Sequence, residues 1–324
     1  MISEESAGPS LGPGEVVRWV AEAGLLVEGR PVVVMLSGGR DSVCLLELAA
    51  RISGKQAVSA LHVNYGLRAG SDHDQVHCQR LCQRLGVELH VRRPPSGRKG
   101  NLQAWAREQR YRLAGELAAA AGADVAVGHT ATDQVETILY RLASSPSRRA
   151  LLGMRPREPL TGAPGRSLVR PLLGLTRDQT AFYCRARELD WREDESNQLE
   201  AFARARVRNK LVPALRSIHP AAERNVLALA EILREEAEVL DQLVQDALGG
   251  AGKLSLARLR ELPLPVARLV VQRLADEAAG RPAPGTARRV QELLALPDRG
   301  RAALDLPHGV RAITERGVLR FVRR

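Results

Sequence analysis

Residues 32 to 42 read Val-Val-Val-Met-Leu-Ser-Gly-Gly-Arg-Asp-Ser, an apolar run that breaks into a glycine pair, an acid and a hydroxyl. Val32 to Leu36 show no polar alternation, which predicts a strand covered on both faces, as in a parallel sheet. Gly38 and Gly39 lack a Cβ, so the backbone there is free to take positive φ and to approach a ligand closely. Val43, Cys44, Leu45, Leu46 and Leu48 continue at helical spacing. Strand, turn and helix N-terminus therefore deliver backbone N–H groups to one point, which suits a phosphate. Ser37 and Ser42 add hydroxyls, and Asp41 is placed to hold magnesium against phosphate oxygens. No Gly-Lys-Ser/Thr follows, so this is not a Walker loop.

The rest of the chain repeats the strand–helix alternation. Strands are expected at Ala57–Val63, Val87–Val91, Val125–Gly128 and Leu168–Leu172. Helices are expected at 15–28, Asp72–Leu85, Leu102–Ala121 and Asp133–Ala143. The fold class this predicts is α/β: a parallel twisted sheet with helices on both faces and ligands at the carboxyl ends of its strands. Beyond about residue 215 the pattern becomes helical (Pro220–Leu248, Pro265–Ala279, Thr286–Leu296) and ends in short β-like runs. Two domains are expected, 1–217 and a smaller, mainly helical 218–324, and 324 residues suffice for two cores.

Charge and cysteine usage narrow the function classes. The net charge is +11, and from position 201 onward there are 22 basic against 14 acidic residues. A base composition that turned Lys into Arg explains the four lysines, but not the excess of bases or its C-terminal bias; nucleic acid is the favoured partner. Aromatic residues make up 3%, too few for extensive base-stacking platforms. No run of about 18 apolar residues exists, which excludes a membrane helix, and residues 1–14 lack the pattern of a signal peptide. Cys44, Cys78, Cys82 and Cys184 have no zinc-ligand spacing and read as reduced thiols of a cytoplasmic protein.

Motifs follow the strands in a fixed order: His62-Val63-Asn64-Tyr65-Gly66-Leu67-Arg68, then Gly128-His129-Thr130-Ala131-Thr132-Asp133-Gln134-Val135-Glu136-Thr137, then Arg170-Pro171-Leu172-Leu173. Trp191-Arg192-Glu193-Asp194-Glu195-Ser196-Asn197, Arg204-Ala205-Arg206-Val207-Arg208 and Leu306-Pro307-His308-Gly309-Val310 come later. The Ser37–Ser42 segment resembles the SGGxDS loop of the N-type ATP pyrophosphatases (the adenine nucleotide alpha hydrolase-like, or PP-loop, fold). The whole series resembles the tRNA(Ile)-lysidine synthetase family, with its HVNHGLR, GHxxDDQxET, RPLL and WxxDxSN signatures.

The resemblance implies an enzyme that adenylates the wobble cytidine of a CAU-anticodon isoleucine tRNA with ATP and lets free lysine displace AMP. It also implies the site. Ser37, Gly38, Gly39, Arg40, Asp41, Ser42 and His62 would bind ATP, with magnesium on Asp41. Asp41, Asp133 and His129 would be catalytic. Asp133 and Glu136, three apart on one helix face, would hold the lysine ammonium, although a helix N-terminus also favours acids for its dipole. Arg107, Arg110, Arg170, Arg204, Arg206 and Arg208 would contact the tRNA or the adenylate, a solvated basic face being the competing view. Tyr65 stands where the family has His, Thr132 replaces the first of two paired Asp residues, and Ser144 to Arg149 replace a glycine-rich turn. These departures leave two rivals: another PP-loop tRNA-modifying enzyme such as a thiolase, or a diverged tRNA-binding relative with a decayed site. A thiolase with an iron–sulfur centre would need Cys-x-x-Cys pairs, which this chain does not contain.

Overall fold

The computed structural model describes residues 12–66, 70–95, 102–145, 148–192, 203–249 and 254–324. Leu67 and Arg68, Pro146 and Ser147, and Glu193 to Asn197 of the motifs above lie outside the described residues. The chain divides into two compact units, Met1–Ala228 and Leu229–Arg324.

The first unit is built on a six-stranded sheet: β1 (Val32–Met35), β2 (Val58–Val63), β3 (Glu88–Arg92), β4 (Asp124–Ala126), β5 (Arg157–Pro159) and β6 (Ser167–Val169), in the order β3-β2-β1-β4-β6-β5. All neighbours pair in parallel except the edge strand β5, which runs antiparallel to β6. The apolar run of β1 is consumed by two cores. Val32 and Val34 pack with α1 (Pro13–Glu22), α2 (Arg40–Ile52), α3 (Ser71–Leu85) and α6 (Arg177–Ala186); Val33 and Met35 pack with α4 (Leu102–Ala121). Alternate side chains of a strand face opposite ways, so a strand covered on both sides needs apolar residues at every position. Burying each such Val or Leu contributes about 1.5–3 kcal/mol. Helix α5 (Ala131–Ser144) follows β4. A helical run then leads from α7 (Ala203–Arg206) through a π turn (Val207–Leu211) into α8 (Val212–Ile218).

Helix α9 (Ala222–Leu248) carries the chain into the second unit. There α10 (Leu256–Glu261), α11 (Leu264–Ala279) and α12 (Val290–Leu294) share a core with an antiparallel sheet. Its strands are β7 (Leu254–Ser255), β8 (Arg301–Leu306), β9 (Val310–Glu315) and β10 (Val318–Arg323), in the order β7-β10-β9-β8. The β-like runs at the chain's end are thus a sheet in their own right. The Leu306–Val310 motif is the corner between β8 and β9, with His308 at φ 62°.

Candidate active site

The chain runs outward from β1 to β2 and β3, then returns to β4 on the other flank of β1. Loops after β1 and β4 therefore leave in opposite directions and open a crevice at their carboxyl ends. The Ser37–Ser42 loop lines it. Gly38 has φ 85°, and a Cβ there would meet Cys78 Sγ at 3.3 Å. The hydroxyls hold the loop in shape: Ser42 Oγ donates to the Gly39 carbonyl at 2.7 Å and accepts from the Ser37 amide at 3.2 Å, and Ser37 Oγ accepts from the Gly39 amide at 3.3 Å. Gly39 is the N-cap of α2, so the amides of Arg40 and Asp41 open the helix without acceptors inside it. The turn is preorganised to receive an anion.

Gly128 brings the second motif against this loop. A Cβ at that position would lie 2.9 Å from the Asp41 carbonyl oxygen, so only glycine permits the approach. Thr130 then caps α5, and Asp133 closes the capping box: its Oδ2 accepts from the Thr130 amide at 2.9 Å and the Thr130 hydroxyl at 2.8 Å. The other oxygen, Oδ1, faces the crevice. Asp133 therefore caps the helix with one oxygen and leaves the other free of that role.

The partner of these acids lies on α6, a helix the sequence reading did not include. Arg177 Nη2 donates to Asp133 Oδ1 at 2.5 Å and Nη1 to Glu136 Oε1 at 3.1 Å, while Nε stands 3.8 Å from Asp41 Oδ2. One guanidinium thus touches the loop acid and both α5 acids. Arg208 grips Glu136 in a fork at 2.7 and 2.9 Å. Burial would raise the Asp133 carboxyl, but the charge of Arg177 and the Thr130 hydrogen bonds outweigh it and hold the group below its usual range. Thr180, one turn further along α6, donates to Asp41 Oδ1 at 2.6 Å. Its one local signal in the sequence is the capping box of Thr176 and Gln179.

The remaining residues scatter. His62 lies inside β2, its Nδ1 2.9 Å from the Leu36 carbonyl, and burial keeps its pKa below the ordinary histidine value. Arg170 is buried at the end of β6, where it bonds to His129, to the Arg155 carbonyl and to Glu158. Gln134, also buried, makes a two-point contact with the backbone of Met154. Arg204, Arg206 and Arg208 do not alternate as in a strand. Arg208 reaches Glu136, whereas Arg206 lines an open groove of about 530 Å³ with Tyr140 and Lys210. Arg107 lies over the Tyr111 ring. Arg110 donates to Tyr65 Oη at 3.2 Å, and Tyr65 donates to the Ala106 carbonyl at 2.7 Å. Tyrosine at this position therefore pins the loop after β2 to α4. Thr132, a second departure, accepts the Arg177 amide at 3.3 Å and so anchors the start of α6.

Residues 16–215 match the PP-loop domain family. The tRNA(Ile)-lysidine synthase of Salinispora tropica is 37% identical over 302 residues, covering 89% of this chain and 90% of that protein. The tRNA(Ile)-lysidine synthase of Solibacter usitatus is 36% identical over 266 residues, covering 79% of this chain; the chain spans 59% of that relative's length. The U34-tRNA thiolase NcsA from Methanococcus maripaludis superposes with a TM-score of 0.56 over 72% of this chain and 88% of its own at 17% identity, a likeness of fold. With a PP-loop match over more than half its length and relatives of this identity, the chain belongs to the tRNA(Ile)-lysidine synthase family of PP-loop proteins.

Proposed function

We propose that the protein is a tRNA(Ile)-lysidine synthase that uses ATP to adenylate carbon 2 of the wobble cytidine in an isoleucine tRNA with a CAU anticodon, releasing pyrophosphate. The amine of free L-lysine then displaces AMP and forms lysidine. The observation that carries this reading is the reach of Arg177, which ties Asp41 of the phosphate loop to Asp133 and Glu136. Nucleotide and amine subsites then share one crevice, as transfer between them requires.

Asp41 fits a magnesium ligand. Its Oδ1 is held by Thr180, and Oδ2 has, among the described residues, only the long contact to Arg177. Magnesium is commonly held by one or two carboxylates together with phosphate oxygens, whose charge it neutralises. Asp133 and Glu136 are the acids for the lysine ammonium, with Arg177 and Arg208 keeping the three-carboxylate cluster from excess negative charge. Arg107, Arg110, Arg204 and Arg206 are the tRNA contacts we retain, supported by the net charge of +11. The four buried free thiols suit a cytoplasmic location.

The test is incubation with an isoleucine tRNA transcript, ATP, magnesium and labelled lysine, followed by nucleoside analysis. Lysidine at the wobble position is the expected product. A thiolated nucleoside in the presence of a sulfur donor, or tRNA binding with no modification, would overturn the reading in favour of one of the two rivals. Within it, Glu136→Gln should raise the lysine requirement far more than the ATP requirement, since a lost charge-assisted contact costs about 1.5–3 kcal/mol.

A further inference from the structure

Arg170 lies within the protein at 3% exposure, and each nitrogen of its guanidinium has a hydrogen-bond partner. Nη1 donates to the Arg155 carbonyl at 2.7 Å and Nη2 to Glu158 Oε1 at 2.6 Å. The remaining nitrogen, Nε, points its single N–H at Nδ1 of His129 from 3.2 Å. A guanidinium has donors only and does not lose its proton in a protein. Nδ1 of His129 must therefore present its lone pair, which leaves the ring's single hydrogen on Nε2.

We propose that Arg170 is a positioning residue that fixes His129 as a neutral Nε2–H donor to a phosphoryl oxygen of the nucleotide bound at the Ser37–Ser42 loop. The inference rests on nucleotide binding by that loop as proposed above. Its location follows from Gly128, whose backbone abuts the Asp41 carbonyl, so that the histidine is one residue removed from the loop. The charges facing the ring agree. Burial first, and then Arg170, Arg107 of α4 and Arg204 of α7, disfavour the imidazolium; Asp133 of α5 alone favours it, and the balance puts the pKa at about 4. A ring so held has no lone pair with which to take a proton from the attacking lysine amine. His129 is then an electrostatic contact to the nucleotide and not the base of the second step, and Arg170 is not an RNA contact.

Nitrogen-15 NMR of the histidine rings reads the tautomer directly in the unsubstituted protein at pH 6.5. The expected result is a single Nε2–H form of His129 whose proton resonance moves when ATP is added. A Nδ1–H form, or an imidazolium at that pH, would overturn the inference. So would a ring unmoved by ATP while the amides of Arg40 and Asp41 shift, an outcome that leaves nucleotide binding intact. If neither ring nor amides move, nucleotide binding itself fails and the inference falls with it. Turnover supplies a second readout. His129→Gln keeps an N–H donor and should retain activity within about tenfold, whereas His129→Ala should lose about a hundredfold, as removal of a preorganised donor does. Equal loss in both variants would restore the base role. Arg170→Met should yield mixed tautomers and a higher ATP requirement, and Arg170→Lys should recover part of both; a single Nε2–H tautomer in the Met variant would deny Arg170 its part.

Discussion

At the scale of single residues, the crevice is set by positions where no substitute has the same geometry. Gly128→Ala should sharply reduce ATP-dependent turnover, because the new methyl meets backbone at 2.9 Å and the start of α2 must move; kinetics at saturating lysine checks this. Asp41→Ala should abolish modification while sparing tRNA affinity, measured by filter binding. His129 also carries a pH signature. It titrates near 6.5 when unfolded and at about 4 when folded, so between those values the unfolded chain binds the extra proton. The stability is complete above pH 6.5 and declines as the pH falls toward 4, by at most about 3 kcal/mol. Urea midpoints of the unsubstituted protein should therefore drop faster across this window than those of His129→Gln; parallel curves would put the proton elsewhere. The loop and the α5 acids were legible in the sequence because each depends on local spacing. Arg177 was not, since its partners on α5 lie 41 and 44 residues away, Asp41 lies further still, and only packing joins them. Arg170 was read as a ligand contact because a buried, internally bonded arginine looks no different from an exposed one in a sequence.

At the scale of elements, α6 is what aims the site. Glu47 on α2 is buried and accepts from Tyr183 Oη at 2.5 Å, with Arg51 and Arg187 closing around it. The hydrogen bonds and cations around Glu47 hold its carboxyl below the usual range despite burial, and burial together with Glu47 pushes the Tyr183 phenol far above its own. This clamp sets the face of α6 that offers Thr180 and Arg177 to the crevice. Tyr183→Phe should lower stability by about 1–3 kcal/mol because Glu47 Oε2 loses its donor while Arg51 and Arg187 stay on Oε1, and should raise the ATP requirement through the loosened Thr180–Asp41 contact. Denaturation and ATP titration of the same variant test both effects. The parallel strands and long helices were predictable because periodicity and length reinforce each other there. Helix α6 was not, because its ten residues mix three charges with few large apolar side chains. Strand β5 escaped for a different reason: Arg157-Glu158-Pro159 has no apolar pattern, and edge pairing with β6 alone makes it a strand.

At the scale of the whole molecule, charge and chain length matter more than any contact. If the basic surface engages tRNA, the logarithm of the affinity should fall linearly with the logarithm of salt concentration, by roughly 0.7 to 0.9 per phosphate neutralised. ATP binding in a preformed loop should respond far less, and tRNA affinity indifferent to salt would return the arginine excess to base composition. Length enters through the π turn at Val207–Leu211. Val207 and Val212 both bury against Val135 and Leu139 of α5, although five residues of regular α-helix would set them about 140° apart. The wider turn absorbs that angle and leaves Arg208 facing Glu136. What the segment fixes is thus a count: exchange of exposed Asn209 for another polar residue should be tolerated, whereas removal of Asn209 should restore a regular helix, swing Val212 out of its pocket and leave the grip on Glu136 without the packing that aims it.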